Sequence, residues 1–281
     1  MSSEVSQVEI RPGQRVEVHR SGSGPVVLLN GGLGQPAQVW EYTGVTQALA
    51  TAGFSTIAHS ARGVAPSSAP PGPYTAADLA DDAAALLDVL AIDDVIVVGY
   101  SMGCYVTQEL IRRHPGRVRA TALVAGIQPS PIGELVGRME IGLLDTYGTI
   151  PADVMTFEQL VTTLHPALLQ DAASVRGWSE IFASSGEVWT DDEGLRGNLM
   201  ASYSWITADE PTPERLSAID IPTLVLAFEH DLFFPPAGCR AASEKIPGSR
   251  FAVVEGVGHG GFFTGQTDAV ARIVDFCTDF R

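Results

Sequence analysis

The stretch Val95-Ile-Val-Val-Gly-Tyr-Ser101-Met-Gly-Cys104 predicts a strand, a sharp turn and a helix in immediate succession. Its apolar, β-branched first half is typical of a buried strand, and an amphipathic helical pattern begins directly after it. Gly99 and Gly103 flank Ser101 at a spacing of two residues, which leaves room for the strand and the helix to approach each other. We therefore expect the Ser101 hydroxyl to stand exposed at the end of a sheet, over a helix N-terminus that favours negative charge.

The composition of the chain limits its class. A length of 281 residues suits one large α/β domain that carries an insertion. The net charge of -16, with Lys245 as the only lysine, excludes the basic surface that nucleic acid requires. No apolar run reaches the roughly 18 residues of a membrane span, and the first residues lack the pattern of a secretion signal. The three cysteines lie far apart without ligand spacing, so we expect reduced thiols, no metal and a cytoplasmic location.

Strand and helix patterns alternate along most of the chain. This alternation predicts an α/β fold with an open, mostly parallel sheet and helices on both faces. Ligands of such sheets bind beyond the carboxyl ends of the strands. A Pro-Gly turn within residues 6–20 predicts an antiparallel hairpin at the start. The further predicted strands cover residues 25–30, 54–58, 95–100, 119–125, 221–228 and 250–254, and the predicted helices outside the insertion cover residues 40–52, 75–90, 237–246 and 267–280.

One long segment interrupts this alternation. Residues 127–211 contain no clear strand pattern but several helical stretches rich in leucine, methionine and aromatic residues. Because structureless loops of that length are rare in compact domains, we interpret the segment as an inserted helical cap. The expected organisation is a core domain in two parts, residues 1–126 and 212–281, with the cap between them.

Two residues at the ends of predicted strands could activate Ser101. A serine hydroxyl is a weak nucleophile near neutral pH and needs a base within hydrogen-bond reach and a carboxylate that orients the base. Asp231 and His259 each follow a strand at its carboxyl end, in the chain order Ser, Asp, His that nucleophile-elbow hydrolases use. For the acid, Glu229 and Glu255 remain alternatives.

Four short motifs resemble those of the α/β-hydrolase superfamily, in its form with a helical cap. The pentapeptide 99–103 resembles the nucleophile elbow, and Asp231-Leu-Phe-Phe-Pro235 resembles an acid loop of the form D-x-x-x-P. Gly258-His259 resembles the histidine loop, and Ala61-Arg62-Gly63 the arginine-glycine turn of the family. We expect Arg62 to anchor that turn and not to bind substrate. The resemblance covers nearly the whole chain.

The resemblance also implies roles for these residues. Ser101 would be the nucleophile, His259 the general base and then acid, and Asp231 the orienting carboxylate. The main-chain N–H of Met102 would be one oxyanion donor. The second donor would come from Gly32 or Leu33, in a loop that begins with asparagine where the family commonly has His-Gly.

Aromatic residues predict the character of the substrate. Phe233, Phe234, Phe262 and Phe263 flank the proposed acid and base and predict an apolar rim around the site. Among them we expect Phe233 and Phe262, together with Tyr100 beside the nucleophile, to contact the substrate.

Together these features predict a serine hydrolase without a cofactor. Its substrate would be a mostly apolar small-molecule carboxylic ester, thioester or lactone, cleaved through an acyl-serine intermediate. Two alternatives remain: a non-hydrolytic enzyme of the same fold, such as a lyase, cyclase or cofactor-free perhydrolase, and a ligand-binding receptor. Haloalkane dehalogenase and epoxide hydrolase chemistry is not expected, because both use an aspartate where Ser101 stands. The sequence leaves the oligomeric state open, a homodimer included.

Overall fold

A computed structural model describes residues 3–183, 188–264 and 267–281. Its strands are β1 (Glu4–Arg11), β2 (Gln14–Gly22), β3 (Val26–Asn30), β4 (Ser55–His59), β5 (Val95–Tyr100), β6 (Val118–Val124), β7 (Thr223–Phe228) and β8 (Arg250–Val254). They form one sheet in the order β1-β2-β4-β3-β5-β6-β7-β8. The neighbours from β4 to β8 pair in parallel, whereas β1 with β2 and β2 with β4 are antiparallel. The predicted α/β fold with a mostly parallel sheet is confirmed.

Helices cover both faces of the sheet. They are α1 (Val39–Tyr42), α2 (Val45–Thr51), α3 (Ala76–Val89), α4 (Gly103–Arg113), α5 (Pro131–Tyr147), α6 (Ala152–Thr163), α7 (Pro166–Leu169), α8 (Ala172–Ala183), α9 (Asp192–Thr207), α10 (Pro213–Ser217), α11 (Pro236–Ser243) and α12 (Asp268–Asp279). Val97 of β5 packs into the core on the α3, α4 and α11 side, and Val98 packs on the α2 and α12 side. Because successive strand side chains point to opposite faces, a strand covered on both faces is apolar throughout, as β5 is.

The predicted helix over residues 40–52 was wrong in its continuity. The helix is interrupted between α1 and α2, where Gly44 adopts a left-handed φ of 77°. Thr43 stabilises the break, because its hydroxyl donates to the Trp40 carbonyl and accepts from the Val45 N–H. By contrast, the helix predicted to begin at Thr75 does so, with Thr75 and Asp78 forming a reciprocal capping box.

The segment between β6 and β7 is helical. We call α5 to α9 the inserted helices. Within the described residues of this segment, β-type pairing is limited to one isolated bridge, which Trp189 forms with Val64. Residues 184–187 of the predicted cap lie outside the described residues. No helix in the described part of the chain is both long and apolar enough to cross a bilayer.

Candidate active site

Ser101 occupies a strained turn between β5 and α4. Its φ is 54°, in the left-handed region that non-glycine residues rarely adopt, and its N–H donates to the Val124 carbonyl over 3.1 Å. The turn is crowded, since any side chain at Gly103 would overlap the carbonyl of Asn30. The glycine spacing around Ser101 thus lets α4 pack directly against the end of β3 and hold the serine at the carboxyl edge of the sheet.

Three residues from three strand ends form one chain of hydrogen bonds. The Ser101 hydroxyl lies 3.0 Å from Nε2 of His259, and Nδ1 of His259 lies 2.8 Å from Oδ2 of Asp231. The other carboxylate oxygen, Oδ1, accepts the main-chain N–H groups of Phe233 and Phe234 at 2.9 Å each. Because the carboxylate holds a proton on Nδ1, Nε2 is the nitrogen that accepts from the serine.

Glu229 and Glu255, the alternative acids, do not contact His259. Asp231 is only 3% exposed and points at His259. Glu229 is exposed and accepts the Gly256 N–H over 2.7 Å, and Glu255 is exposed as well. Of the three carboxylates that follow β7 and β8, only Asp231 contacts His259.

Aromatic rings hold the imidazole in place. Tyr100 and Phe234 stack against His259, with ring centroids 5.4 and 5.6 Å away, and Phe233 meets its edge at 5.1 Å. The Tyr100 hydroxyl donates to the main-chain carbonyl of His259 over 2.8 Å. Burial raises the pKa of Tyr100, so the phenol stays protonated and keeps this bond. Tyr100 therefore lies buried beneath the histidine and not at a substrate surface, in contrast to the prediction.

The predicted phenylalanine rim is only half present. Phe262 is 3% exposed and packs against Trp40, Tyr100 and Phe228, so it belongs to the core. The reason is local, because residues 261–263 form a 3₁₀ turn that directs Phe262 inward and Phe263 outward. Phe234 is buried as well. Of the four phenylalanines, Phe233 and Phe263 have side chains that are partly exposed to solvent.

The two candidates for the second oxyanion donor differ in their hydrogen bonds. The N–H of Gly32 already donates to Oε1 of Gln35 over 2.9 Å. The N–H groups of Leu33 and Met102 have no acceptor among the described residues. Met102 follows Ser101 and is the N-cap residue of α4. Leu33 lies in the loop after β3, next to Gly32, where a Cβ would lie 3.2 Å from Cβ of Ser101. Gln35, which orients this loop, carries no sequence signal that would have marked it.

Arg62 anchors a turn, as predicted. Its guanidinium forms two hydrogen bonds with the buried carboxylate of Asp82, at 2.6 and 2.7 Å, and lies over the ring of Tyr74. A bidentate pair of this kind positions a loop rigidly. Arg62 therefore has a structural role in this turn.

The remaining candidate side chains are also structural. Cys104 is buried behind the elbow, 3.2 Å from the Gly99 carbonyl, and burial raises the pKa of its thiol well above the usual value. His165 caps α7, and its ring packs edge-on against His230. Within the described ranges, no group of three or more His, Cys, Asp or Glu side chains is arranged to hold a metal ion.

Sequence reasoning missed two buried acids on the inserted helices. Glu140 lies on α5 and Glu158 on α6, and both side chains are buried. A signal was present, since each acid interrupts an otherwise largely apolar helical pattern, but charged residues in helices usually face solvent. Their burial depends on how α5 and α6 pack.

Comparison with known proteins places the chain among enzymes of related architecture. A family described as alpha/beta hydrolase fold matches residues 24–266. The chain is 26% identical over 250 residues to a non-heme haloperoxidase of Rhodococcus erythropolis, covering 85% of this chain and 87% of that relative. It is 25% identical over 256 residues to a 2-(acetamidomethylene)succinate hydrolase of Mesorhizobium japonicum, covering 87% and 84%. The solved structure of an enol-lactonase from Burkholderia xenovorans LB400 shares the fold, with a TM-score of 0.79, 24% identity and coverage of 97% and 100%.

Proposed function

The chain belongs to the alpha/beta hydrolase fold family, and we propose that it is a serine hydrolase that cleaves a carboxylic ester, thioester or lactone through an acyl-serine intermediate. The observation that carries the proposal is the continuous hydrogen-bond chain from Ser101 through His259 to Asp231. The strained φ of Ser101 adds support, because such strain persists where a function needs the exposed position.

In the first half of the reaction, Ser101 Oγ attacks the substrate carbonyl carbon while its proton moves to Nε2 of His259. Asp231 stabilises the imidazolium that forms. The carbonyl oxygen becomes an oxyanion, which the N–H groups of Met102 and Leu33 receive. Each such donor stabilises the transition state by about 3 to 4 kcal/mol. When the carbonyl re-forms, the bond to the leaving group breaks and His259 returns the proton to that group.

In the second half, water replaces the leaving group. His259 Nε2 takes a proton from the water as its oxygen attacks the acyl carbon, and the same two N–H groups receive the second oxyanion. Collapse breaks the bond to Ser101, and the serine oxygen recovers the proton from His259. The products are a carboxylic acid and an alcohol or thiol, or a hydroxy acid where the substrate is a lactone.

Exposed apolar groups near the site favour a mostly apolar substrate. Leu232 and Phe263 are exposed, and Phe233 is half-buried against the histidine. Leu232 and Phe233 lie in the acid loop and Phe263 in the histidine loop, and the Phe233 ring contacts His259 itself. They offer a substrate hydrophobic contact and few hydrogen bonds.

A second candidate is perhydrolysis by the same acyl-serine. It is favoured by the haloperoxidase name of a relative that covers 85% of this chain. Hydrogen peroxide would attack the acyl carbon in place of water, giving a peracid and the free serine. The test measures the ratio of peracid to carboxylic acid formed from one ester as the hydrogen peroxide concentration rises. A rising ratio indicates perhydrolysis of the acyl-serine, and a constant yield of carboxylic acid alone indicates hydrolysis.

The decisive experiment compares Ser101→Ala with the unaltered protein on a panel of esters, thioesters and lactones. We expect turnover to fall by about 10³- to 10⁶-fold, because the nucleophile is lost. Ser217→Ala is the matched control, since Ser217 is exposed on α10, and it should keep full activity. Mass spectrometry after treatment with a fluorophosphonate should find the label on Ser101.

Two results would count against this function. Acyl transfer that persists in Ser101→Ala would exclude the acyl-serine. A labelled Ser101 without turnover of any panel member would favour a lyase or cyclase reaction, and ligand binding that survives loss of His259 without product would favour a receptor.

A further inference from the structure

The inserted helices reach the histidine loop through the end of α6. A helix leaves the carbonyls of its last turn without partners inside the helix. The carbonyl of Thr163, the last residue of α6, accepts the N–H of Gly260 over 2.8 Å. Gly260 directly follows His259, so an inserted helix is hydrogen-bonded to the loop that carries the proposed general base.

The peptide group between His259 and Gly260 is held from two sides. Its carbonyl, that of His259, accepts the Tyr100 hydroxyl over 2.8 Å, from the end of β5 in the core sheet. Its N–H, that of Gly260, donates to Thr163, from the inserted helices. Because both polar atoms of this planar group are bonded, the main-chain position from which the imidazole projects is fixed by the core and by α6 together.

The histidine loop also packs closely against the end of α6. A Cβ at Gly258 would lie 2.8 Å from the Thr163 carbonyl oxygen and 2.8 Å from the Leu164 carbonyl carbon. A Cβ at Gly260 would overlap Cγ2 of Thr163. Neither glycine adopts a positive φ. The close approach of α6, and not the backbone conformation, therefore explains the glycines on either side of His259.

The junction between α6 and α7 contacts the acid loop as well. His165 follows α6 by two residues, and its ring packs edge-on against that of His230, with ring centroids 4.4 Å apart. His230 directly precedes Asp231 in the chain. Residues 163–165 of the inserted segment thus contact the loops of both the base and the acid.

We propose that Thr163 is a positioning residue for the general base, which holds His259 at the distance from Ser101 that proton transfer requires. This inference rests on the serine hydrolase function proposed above and gives the inserted helices a part in it. The margin is narrow, because Nε2 of His259 lies 3.0 Å from the Ser101 hydroxyl, and a shift of about 1 Å would break that hydrogen bond. Thr163 takes no part in proton transfer itself and acts through the main chain of the histidine loop.

The test adds one methyl group to the histidine loop. Two carbon atoms in contact need about 3.5 to 4.0 Å, so Gly260→Ala must move the loop and Thr163 apart by about 1 Å. We expect kcat for ester hydrolysis to fall by about 10- to 100-fold with little change in KM, because the base and not the substrate is displaced. Each kcat is referred to the concentration of Ser101 that a fluorophosphonate labels, so that unfolded protein does not count. Gly142→Ala is the control and should keep full activity, since a Cβ at Gly142 on α5 meets no described atom within 4 Å.

A second substitution distinguishes positioning by Thr163 from a general requirement for glycine. Thr163→Ala removes the Cγ2 atom that the new methyl would overlap but keeps the carbonyl that accepts from Gly260. In the Thr163→Ala background, Gly260→Ala should therefore lower kcat by no more than about threefold. Gly258→Ala should remain impaired in the same background, because its Cβ meets main-chain atoms that Thr163→Ala leaves in place. An equal loss for Gly260→Ala in both backgrounds would overturn the proposal.

Proton NMR separates this inference from the proposed function. The Nδ1–H of His259 bonds to Asp231, so its resonance lies far downfield of the amide protons, and its loss in His259→Ala identifies it. The resonance should shift in Gly260→Ala and return in Gly260→Ala/Thr163→Ala, whether or not any ester is cleaved. An unmoved resonance, with Ser101-dependent hydrolysis equal in all of these loop variants, would retain the hydrolase and refute the role of Thr163. A shifted and restored resonance in a protein without acyl transfer would retain the positioning of His259 by Thr163 and refute the hydrolase.

Discussion

Replacing Glu140 with glutamine should stabilise the protein at neutral and alkaline pH but not at acid pH. The folded state holds this carboxyl with a pKa of about 8, because of burial and the charge of Glu158, against 4.5 in the unfolded chain. Between these pH values the unfolded chain releases the proton and the folded chain keeps it. The free energy of unfolding therefore falls as the pH rises from 4.5 to about 8.

The size of the effect follows from the same shift. Each pKa unit corresponds to about 1.4 kcal/mol, so the difference between 4.5 and about 8 amounts to about 5 kcal/mol at alkaline pH. At pH 7 the penalty is about 3 kcal/mol, a large part of the roughly 5 to 15 kcal/mol that stabilises a typical domain. Little of this is lost to solvent screening, since the side chain is nearly fully buried.

The assay is urea denaturation of the unaltered protein and Glu140→Gln, from pH 5 to pH 8. The two unfolding free energies should nearly coincide at pH 5 and diverge as the pH rises, with the variant the more stable. Glu134→Gln, at a side chain on the same helix that is 45% exposed, should follow the unaltered protein throughout. Parallel curves for Glu140→Gln and the unaltered protein would refute the account of this carboxyl as a buried, protonated group.

Three further substitutions test the site and its frame. Asp231→Asn should lower kcat by about 10⁴-fold, because the orienting carboxylate is lost, while Glu229→Gln should leave kcat unchanged. Ester hydrolysis measures kcat of both variants. Equal effects of the two substitutions would contradict the assignment of Asp231 as the acid. Gln35→Ala should lower kcat by about 10- to 100-fold with little change in KM, because the loop that carries the Leu33 N–H loses its anchor. Leu33→Ala should leave kcat unchanged, because only the main chain of Leu33 is used. Asp82→Leu should destabilise the fold by about 3 to 5 kcal/mol in urea denaturation, because it leaves the largely buried guanidinium of Arg62 without its carboxylate. The exposed pair of Asp279 and Arg250 gives the control, and Asp279→Asn should cost about 0 to 1 kcal/mol.

Some of this protein could be deduced from its sequence. The strand-turn-helix around Ser101, the parallel alternation and the placement of Asp231 and His259 at strand ends follow from local patterns. Apolar periodicity and turn residues act over a few neighbours, so a sequence displays them directly. The carboxyl ends of parallel strands necessarily share one edge, which brings serine, acid and histidine loops together without knowledge of any contact.

Other features were decided only by tertiary packing. Asp231 and not Glu229 contacts His259, and Phe262 turns into the core. Within the described ranges, the N–H of Gly32 has an acceptor and that of Leu33 has none. Glu140 is buried, while Leu135 and Met139 on the same helix are exposed. Each of these depends on which distant groups lie within a few ångströms of a side chain and on how much water reaches it. Hydrogen bonds and desolvation act at that range and between residues far apart in the chain, so only the folded molecule determines them.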